Sequence, residues 1–305
     1  MTTRSHRVPC GPSVPYLLLA PAVVFEVLVH LLPMLGGLWM SLHELNQFFV
    51  RDWTSAPNAG LDNYRVAVDF DGAVGAELLR SFGVTAAFSV LVVALSFGLG
   101  LTAATLLQRP FRGRLLVRGL FLVPYALPVY TAALVWKFML DRGDGAVNAA
   151  LGAVGLGGGE FWLLGQNAFL SLVVTAVWRL WPFAFLALMA GLQSIPAELY
   201  DAAEVDGAGA AQRFRLITLP LLRPVARVLV LVLFLWTFND FTVPYVLFDE
   251  SVPQAANLIS VHVYQSSFLT WNFGLGAAMS TVLLLFLLVV VALSLALTSR
   301  SRRAT

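Results

Sequence analysis

Residues 273–298 decide the fold class, because they read FGLGAAMSTVLLLFLLVVVALSLALT and contain no charged side chain. A helix needs roughly 20 predominantly apolar residues to cross the hydrocarbon core of a bilayer. The stretch exceeds that length, and a basic run, SRSRR at 299–303, follows it directly. The pattern therefore predicts a transmembrane helix that ends at a membrane surface.

Five further stretches have the same character, and together they predict an all-α integral membrane protein. We place the six spans at about 15–42, 80–107, 115–139, 168–192, 225–248 and 273–298. The first is too long for a secretory signal, and no small-residue cleavage site follows it, so we expect it to be retained. The composition agrees, because only 12% of the 305 residues are charged, whereas soluble domains carry about 25%.

The basic residues predict the orientation, since cytoplasmic loops of membrane proteins are enriched in Arg and Lys. With the N-terminus inside, thirteen arginines fall on the inside: Arg4, Arg7, Arg109, Arg112, Arg114, Arg118, Arg213, Arg215, Arg223, Arg227, Arg300, Arg302 and Arg303. The outside loops then hold three, Arg51, Arg65 and Arg142. Both termini are therefore predicted to be cytoplasmic. We divide the chain into a tail at 1–14, a transmembrane domain at 15–298 with its core at 80–298, and a basic tail at 299–305.

The composition also excludes several classes of function. A net charge of +2 is too small to indicate a nucleic-acid partner. The single cysteine, Cys10, excludes an internal disulfide, and the four scattered histidines have no spacing typical of metal ligands. No phosphate-binding Gly-x-x-x-x-Gly-Lys pattern is present. We therefore expect no cofactor or metal on this chain, and any ATP that drives transport would be hydrolysed by another polypeptide.

The loop between the fourth and fifth spans, residues 193–224, is predicted to form a compact knob. Ser194 is the expected N-cap of a first helix, and Gly207 the expected left-handed residue that ends it. A second short helix is predicted at about 209–218. Pro220 and Pro224 are expected to break the chain before the fifth span.

The spacing within this loop resembles the EAA loop of ABC importer membrane subunits. Asp201-Ala202-Ala203, Gly207, Ile217, Leu219 and Pro220 carry the likeness. In that family the loop is a coupling helix that fits a cleft on the ATPase. The resemblance implies a type I importer permease fold in a bacterial plasma membrane. It assigns ATPase coupling to nine residues here: Glu198, Asp201, Ala202, Ala203, Asp206, Gly207, Ile217, Leu219 and Pro220.

Matches elsewhere extend the resemblance over nearly the whole chain and are similar to the carbohydrate-uptake branch. They include Arg118–Pro128, Trp178–Phe183, Phe238–Phe241 and Phe273–Ala278. The implied partners are a second related permease, two cytoplasmic ATPase subunits and an extracytoplasmic substrate-binding lipoprotein. The implied substrate pathway contains Tyr125, Val129, Arg179, Leu180, Thr237, Asn239 and Asp240. Two features depart from the family: Asp201 replaces a glutamate, and residues 249–253 replace a Gly-Gly-Pro turn.

Charges inside the spans leave alternatives open, because such groups are costly in lipid and usually face protein or water. Asp240, which we place within the fifth span, either lines a solute cavity or forms a structural pair with Arg179. Glu26 and His30 lie four residues apart, which suits either an intrahelical pair or a proton relay. An ion-coupled secondary transporter using Glu26, His30 and Asp240 is therefore the alternative hypothesis. A membrane enzyme ranks third, since no nucleophile–base cluster is present.

Overall fold

A computed structural model describes residues 14–108 and 110–303, with side chains for 16–108 and 110–297. Residues 1–13 of the predicted N-terminal tail, Arg109 and residues 304–305 lie outside that description. The described part is helical and contains no β-strand, only the isolated bridges His43–Asn58 and Asn46–Asn272. Its α-helices are α1 (Val14–Glu26), α2 (Leu32–Ser41), α3 (Asp62–Val68), α4 (Ala73–Leu106), α5 (Arg114–Ala126), α6 (Val129–Met139), α7 (Ala146–Ala153), α8 (Asn167–Gln193), α9 (Ala197–Val205), α10 (Ala210–Arg213), α11 (Leu219–Phe238), α12 (Thr242–Phe248), α13 (Ile259–Tyr264) and α14 (Phe273–Arg303).

Five helical stretches in the described part are long and apolar enough to cross a membrane. They are Tyr16–Ser41, Ala73–Leu106, Asn167–Gln193, Ala210–Phe248 and Phe273–Leu297. Helix is the expected form for each, since lipid offers no partner for an open backbone N–H or C=O. Helices α5 and α6 form a sixth candidate if they are one broken span. The all-α membrane fold is confirmed, and the orientation of the termini stays a prediction.

The third predicted span, 115–139, is not one straight helix. Helices α5 and α6 meet at an angle of 92°. Leu127 between them has extended backbone angles (φ −72°, ψ 140°), and Pro128 is the N-cap of α6. A proline ring disfavours the helical conformation of the residue before it, which explains the break at this point.

The helix of the fifth predicted span begins at Leu219, before the predicted start at about 225. Its break lies between Phe238 and Thr242 instead of at Pro220 and Pro224. Helix α11 starts at Leu219 and contains Pro224, so the predicted break at Pro220 and Pro224 is wrong. Pro220 lies in the first turn, where its missing N–H costs little. A π-helical turn, Phe214–Thr218, joins α10 to α11 and places the N–H of Leu219 on the carbonyl oxygen of Phe214. The helical path therefore runs from Ala210 to Phe238 without an extended residue.

The chain divides into two compact units, whose described parts are residues 14–68 with 266–284, and residues 69–108 and 110–265 with 285–303. In the second unit α8 is the central helix, and Leu172, Leu180 and Leu188 on it are fully buried. Helix α4 approaches it closely at Gly100, where an added Cβ would lie 2.7 Å from the backbone nitrogen of Phe185. Small residues permit such close approach between helices in a membrane.

In the first unit, two segments far apart in sequence are joined by hydrogen bonds. The side-chain amide of Asn63 donates to the carbonyl oxygens of Ser41 (3.0 Å) and His43 (2.9 Å). The N–H of Gly274 donates to the carbonyl oxygen of Leu45 at 2.9 Å. The most apolar part of Tyr16–Ser41 has no buried residue in the structure. That surface is therefore available to lipid or to another chain.

Candidate functional site

Helix α9, the first helix of the predicted knob, begins after Pro196, whose extended angles (φ −57°, ψ 134°) make it the N-cap. The prediction that Ser194 is the N-cap is wrong. Ser194 still has helical angles (φ −82°, ψ −8°) at the end of α8, and its hydroxyl donates to the carbonyl oxygen of Gly191 at 2.7 Å. An N-cap residue needs extended angles, so Pro196 takes the position instead.

Gly207 ends α9 in the left-handed conformation, as predicted, with φ at +78°. The N–H of Gly207 donates to the carbonyl oxygen of Glu204 (3.1 Å), and the N–H of Ala208 donates to that of Ala203 (2.8 Å). These two bonds form a Schellman motif, which satisfies carbonyl groups that the helix would otherwise leave open. The motif turns the chain sharply into α10.

Two side-chain contacts hold the knob together, and neither was predicted from the sequence. A guanidinium nitrogen of Arg213 on α10 lies 2.6 Å from a carboxylate oxygen of Glu204 on α9. The hydroxyls of Tyr200 and Thr218 are 3.0 Å apart and share a hydrogen bond. Neither pair has a local helical spacing, so no periodicity in the sequence indicates them. The first helix is thereby fixed to α10 and to the π-helical turn before α11.

The outer face of the knob is acidic and apolar. Glu198, Asp201 and Asp206 are exposed and form no ion pair in the described part of the chain. Val205 is 89% exposed, and Leu199 beside them is 43% exposed. The remaining coupling residues of the prediction comprise exposed Ala202 and Gly207 and half-buried Ala203, Ile217, Leu219 and Pro220. Val205 and Leu199 therefore add exposed apolar area to the acidic face of the knob.

A second polar feature lies where α11 gives way to α12. Asp240 stands between the two helices rather than inside one, because α11 ends at Phe238. Asp240 is 8% exposed; its Oδ1 accepts the N–H of Val243 at 3.2 Å, and its Oδ2 has no partner among the described residues. Ser260 donates its hydroxyl to the main-chain oxygen of Asp240 at 2.7 Å. One oxygen of a nearly buried carboxylate is thus left without a donor.

The structural pair between Asp240 and Arg179 does not form in this structure. No nitrogen–oxygen distance of 4.0 Å or less joins them, and Nε of Arg179 has no hydrogen-bond partner among the described groups. Both side chains therefore retain unused hydrogen-bonding capacity. Buried polar groups are normally satisfied, so each of these two atoms has capacity for a water or another polar partner, as has Nε of Arg118 elsewhere in the described chain.

The other predicted pathway residues differ in exposure. Leu180 and Thr237 are fully buried, and the Thr237 hydroxyl donates to the carbonyl oxygen of Leu233 at 2.9 Å. Asn239 is exposed, and Val129 and Tyr125 are half-buried. The Tyr125 ring stacks on Phe183 with centroids 5.4 Å apart, and Phe183 packs against Trp236 at 4.9 Å. Sequence patterns alone did not indicate this aromatic row.

An ion pair links the broken third span to the end of the fifth. Nζ of Lys137 on α6 lies 2.5 Å from Oδ2 of Asp249, just after α12. Asp249 has a positive φ of 53°, a conformation that favours glycine. The family's Gly-Gly-Pro turn is thus replaced by an aspartate that keeps a glycine-like backbone and binds the chain's only lysine.

Glu26 and His30 belong to the alternative hypothesis of an ion-coupled transporter. Nδ1 of His30 lies 3.3 Å from a carboxylate oxygen of Glu26 on the same helix, so the intrahelical pair is formed. Burial lowers the pKa of His262 on α13, an effect that the charge of Glu77 opposes. No group of three His, Cys, Asp or Glu side chains in the described part is arranged to hold a metal ion.

Comparison with known proteins decides the family. Residues 96–303 match the family described as the binding-protein-dependent transport system inner membrane component. The chain belongs to this family. Its members are components of transport systems of the inner membrane, so the predicted class and localisation are confirmed.

Relatives of this permease family match along most of the chain. The trehalose/maltose transport system permease protein MalF of Thermococcus litoralis is 34% identical over 268 residues, covering 87% of this chain and 86% of that protein. The sn-glycerol-3-phosphate transport system permease protein UgpA of Agrobacterium fabrum is 32% identical over 274 residues, covering 88% and 89%.

A solved structure confirms the fold. A chain of a bacterial ABC transporter involved in import of the acidic polysaccharide alginate superposes with a TM-score of 0.79. It is 21% identical and covers 94% of this permease and 95% of its own length. The predicted importer-permease fold is therefore confirmed.

Proposed function

We propose that the chain forms one half of the translocation pore of an ATP-driven, binding-protein-dependent importer of a sugar or sugar-like solute. The observation that carries this proposal is the match, over more than four fifths of the chain, to permeases named for carbohydrate and glycerol-phosphate transport. A second related permease would supply the other half of the pore. An extracytoplasmic substrate-binding lipoprotein would deliver the solute. This chain itself performs no bond chemistry.

The knob is the proposed coupling surface for one of two cytoplasmic ATPase subunits, which bind and hydrolyse the ATP. The nine coupling residues lie on it, and its exposed acids, Glu198, Asp201 and Asp206, would meet basic groups of the ATPase. Val205 and Leu199 add an apolar contact that sequence motifs did not indicate. The ion pair between Glu204 and Arg213 would keep the knob rigid, so that ATPase motion moves the helices instead of deforming the loop.

Helix α11 is the proposed lever between the knob and the pathway. The helical path from Ala210 to Phe238 is about 43 Å long at 1.5 Å per residue, and it ends beside Asp240. A displacement of the knob would therefore reach the break before α12. In this way ATPase closure would alternate the pathway between outward-facing and inward-facing states.

The proposed pathway keeps the seven predicted residues, with Asp240 as the main acceptor for solute hydroxyl groups. Its free Oδ2 suits that chemistry, and the Tyr125 ring suits the apolar face of a sugar. Arg179 would donate to solute oxygens. Leu180 and Thr237, which are enclosed in this structure, would be reached only in another state of the transport cycle.

The energy source tests the proposal. The complete importer is reconstituted in vesicles, and uptake of a panel of radiolabelled oligosaccharides is measured. We expect uptake to vanish when the ATPase carries a hydrolysis-blocking mutation and to persist with a proton uncoupler. Asp201→Arg should abolish uptake without loss of membrane insertion, whereas Asp144→Arg, at another exposed aspartate, should not. Uptake that survives the ATPase mutation and stops with the uncoupler would establish the ion-coupled alternative.

A further inference from the structure

A groove of about 870 Å³ lies between α4, α11 and α14. Its walls are apolar, with Val90 from α4, Val230 and Phe234 from α11, and Val290 from α14. Arg223 and Arg227 line it at one end. None of the nine predicted coupling residues and none of the seven predicted pathway residues lines this groove.

The length of the groove matches one leaflet of a bilayer. Its lining on α11 extends from Arg223 to Phe234, and the eleven residue steps between them correspond to about 16 Å of helix. Half of a hydrocarbon core of about 30 Å has the same depth. An acyl chain that enters beside the arginines would therefore reach the middle of the membrane at Phe234.

The two positive charges at one end of the groove would attract an anion. Arg223 and Arg227 are four residues apart and so lie on one face of α11. Both are exposed, and no ion pair within the described chain engages either guanidinium. Guanidinium groups bind phosphate oxygens in paired, charge-assisted hydrogen bonds. A neighbouring protein helix would need an acidic residue at the same level to satisfy them.

We propose that this groove, defined by Arg223, Arg227, Val90, Val230, Phe234 and Val290, binds an anionic phospholipid. The arginines hold the headgroup phosphate, and the apolar walls hold an acyl chain. The two arginines lie in the second and third turns of α11, shortly after the π-helical turn that joins this helix to α10. A bound lipid would therefore steady the end of the proposed lever. The site itself follows from the membrane fold and does not depend on the transported solute.

Lipid retention tests the site. The full-length chain, with the subunits that co-purify with it, is exchanged into micelles containing equal amounts of phosphatidylglycerol and phosphatidylcholine, and retained lipid is counted by native mass spectrometry. We expect selective retention of phosphatidylglycerol. The double variant Arg223→Gln/Arg227→Gln should lower that selectivity by about tenfold or more, because each arginine near a membrane contributes substantially to anionic-lipid binding. The charge-matched control Arg112→Gln/Arg215→Gln, at exposed arginines outside the groove, should retain it.

A second variant and a photo-crosslink distinguish a bound lipid from a bound protein helix. Ala226→Phe fills the groove and leaves both arginines in place, so it should also reduce retention. A photo-reactive benzoylphenylalanine at Val230 should attach to lipid. Equal retention of the two lipids by the parent chain, or unchanged selectivity in the double arginine variant, would overturn the proposal. A crosslink from Val230 to a protein helix would overturn it as well.

Discussion

At the scale of single residues, Asp240 combines burial, charge and an open hydrogen-bonding site. A carboxylate in a residue that is 8% exposed is costly unless both oxygens find donors, and only Oδ1 has one in the described structure. The helix break places it between α11 and α12, where its main-chain N–H donates to the carbonyl oxygen of Thr237 and its carbonyl oxygen accepts from Ser260. Retaining such a costly group is understandable if a solute supplies the missing donor.

The substitution Asp240→Asn tests that role. Asparagine keeps the size and the capacity to accept the N–H of Val243, but it replaces an anionic acceptor by an amide. We expect the apparent KM for uptake to rise at least about tenfold, as is typical for loss of a charged hydrogen bond of 1.5–3 kcal/mol. Glu250→Gln, an exposed acid ten residues further on, is the matched control and should leave uptake unchanged. Unchanged KM and substrate range in Asp240→Asn would contradict a pathway role.

The sequence indicated Asp240 because a charge inside an apolar stretch is rare, but we did not predict the break beside it. Pro244 is a local signal for that break, because proline has no N–H to bond the carbonyl group four residues earlier, here that of Asp240. The hydroxyl of Ser260 binds the carbonyl oxygen of Asp240 from twenty residues away. Lys137 and Asp249 are similarly joined across 112 positions. Such contacts depend on tertiary packing and cannot be inferred from spacing.

At the scale of elements, the long helices were predictable and their interruptions were less so. In lipid, a single apolar stretch satisfies its backbone hydrogen bonds by forming a helix. The helix at Phe273–Leu297 could therefore be predicted from length and composition alone. Proline was ambiguous, since Pro128 marks a 92° bend, whereas Pro220 and Pro224 lie within the helical course of α11. Pro220 is tolerated because it lies in the first turn of α11, whereas Pro224 is the sixth residue of the helix and its position does not explain its tolerance. The sequence alone does not show where the first turn of α11 begins.

The end of α9 gives a prediction at this scale, since Gly207 alone makes the Schellman turn possible. Gly207→Ala should cost about 1 kcal/mol in the left-handed conformation, and Gly207→Pro should be worse because proline fixes φ near −65° and lacks the bonded N–H. We expect ATP-driven uptake to fall several-fold in the first and to be lost in the second, with normal amounts of inserted protein on immunoblots.

Gly113 offers the matched control for Gly207. It also has a positive φ, +85°, and open space around it, but it precedes α5 instead of shaping the knob. Gly113→Ala should therefore impose a similar backbone strain without loss of coupling. If Gly113→Ala reduced uptake as much as Gly207→Ala, general destabilisation would explain both results. If Gly207→Pro transported normally, the docking role of the knob would be wrong.

At the scale of the whole molecule, the sequence predicted an all-helical membrane protein but not which distant segments meet. Residues 43–46 and 272–274 are paired by the bridge between Asn46 and Asn272 and by the bond from Gly274 to Leu45. Neither segment is a regular strand with alternating apolar residues. The first span, in turn, has no buried residue in its most apolar part. Its length and composition predict insertion, but they cannot name the lipid or chain that covers it.

Gly274 shows how tightly this distant pairing is packed, and it carries the last prediction. A Cβ there would overlap the carbonyl oxygen of His43 and lie 3.2 Å from the backbone nitrogen of Leu45, so backbone would have to move. Gly274→Ala should lower the free energy of unfolding by about 1–3 kcal/mol, the usual cost of overpacking. Gly37→Ala, in a helix with no atom within 4 Å of the added methyl, should be neutral or stabilising. Thermal unfolding of the purified chains in one detergent compares them, and equal midpoints would contradict the pairing of 43–46 with 272–274.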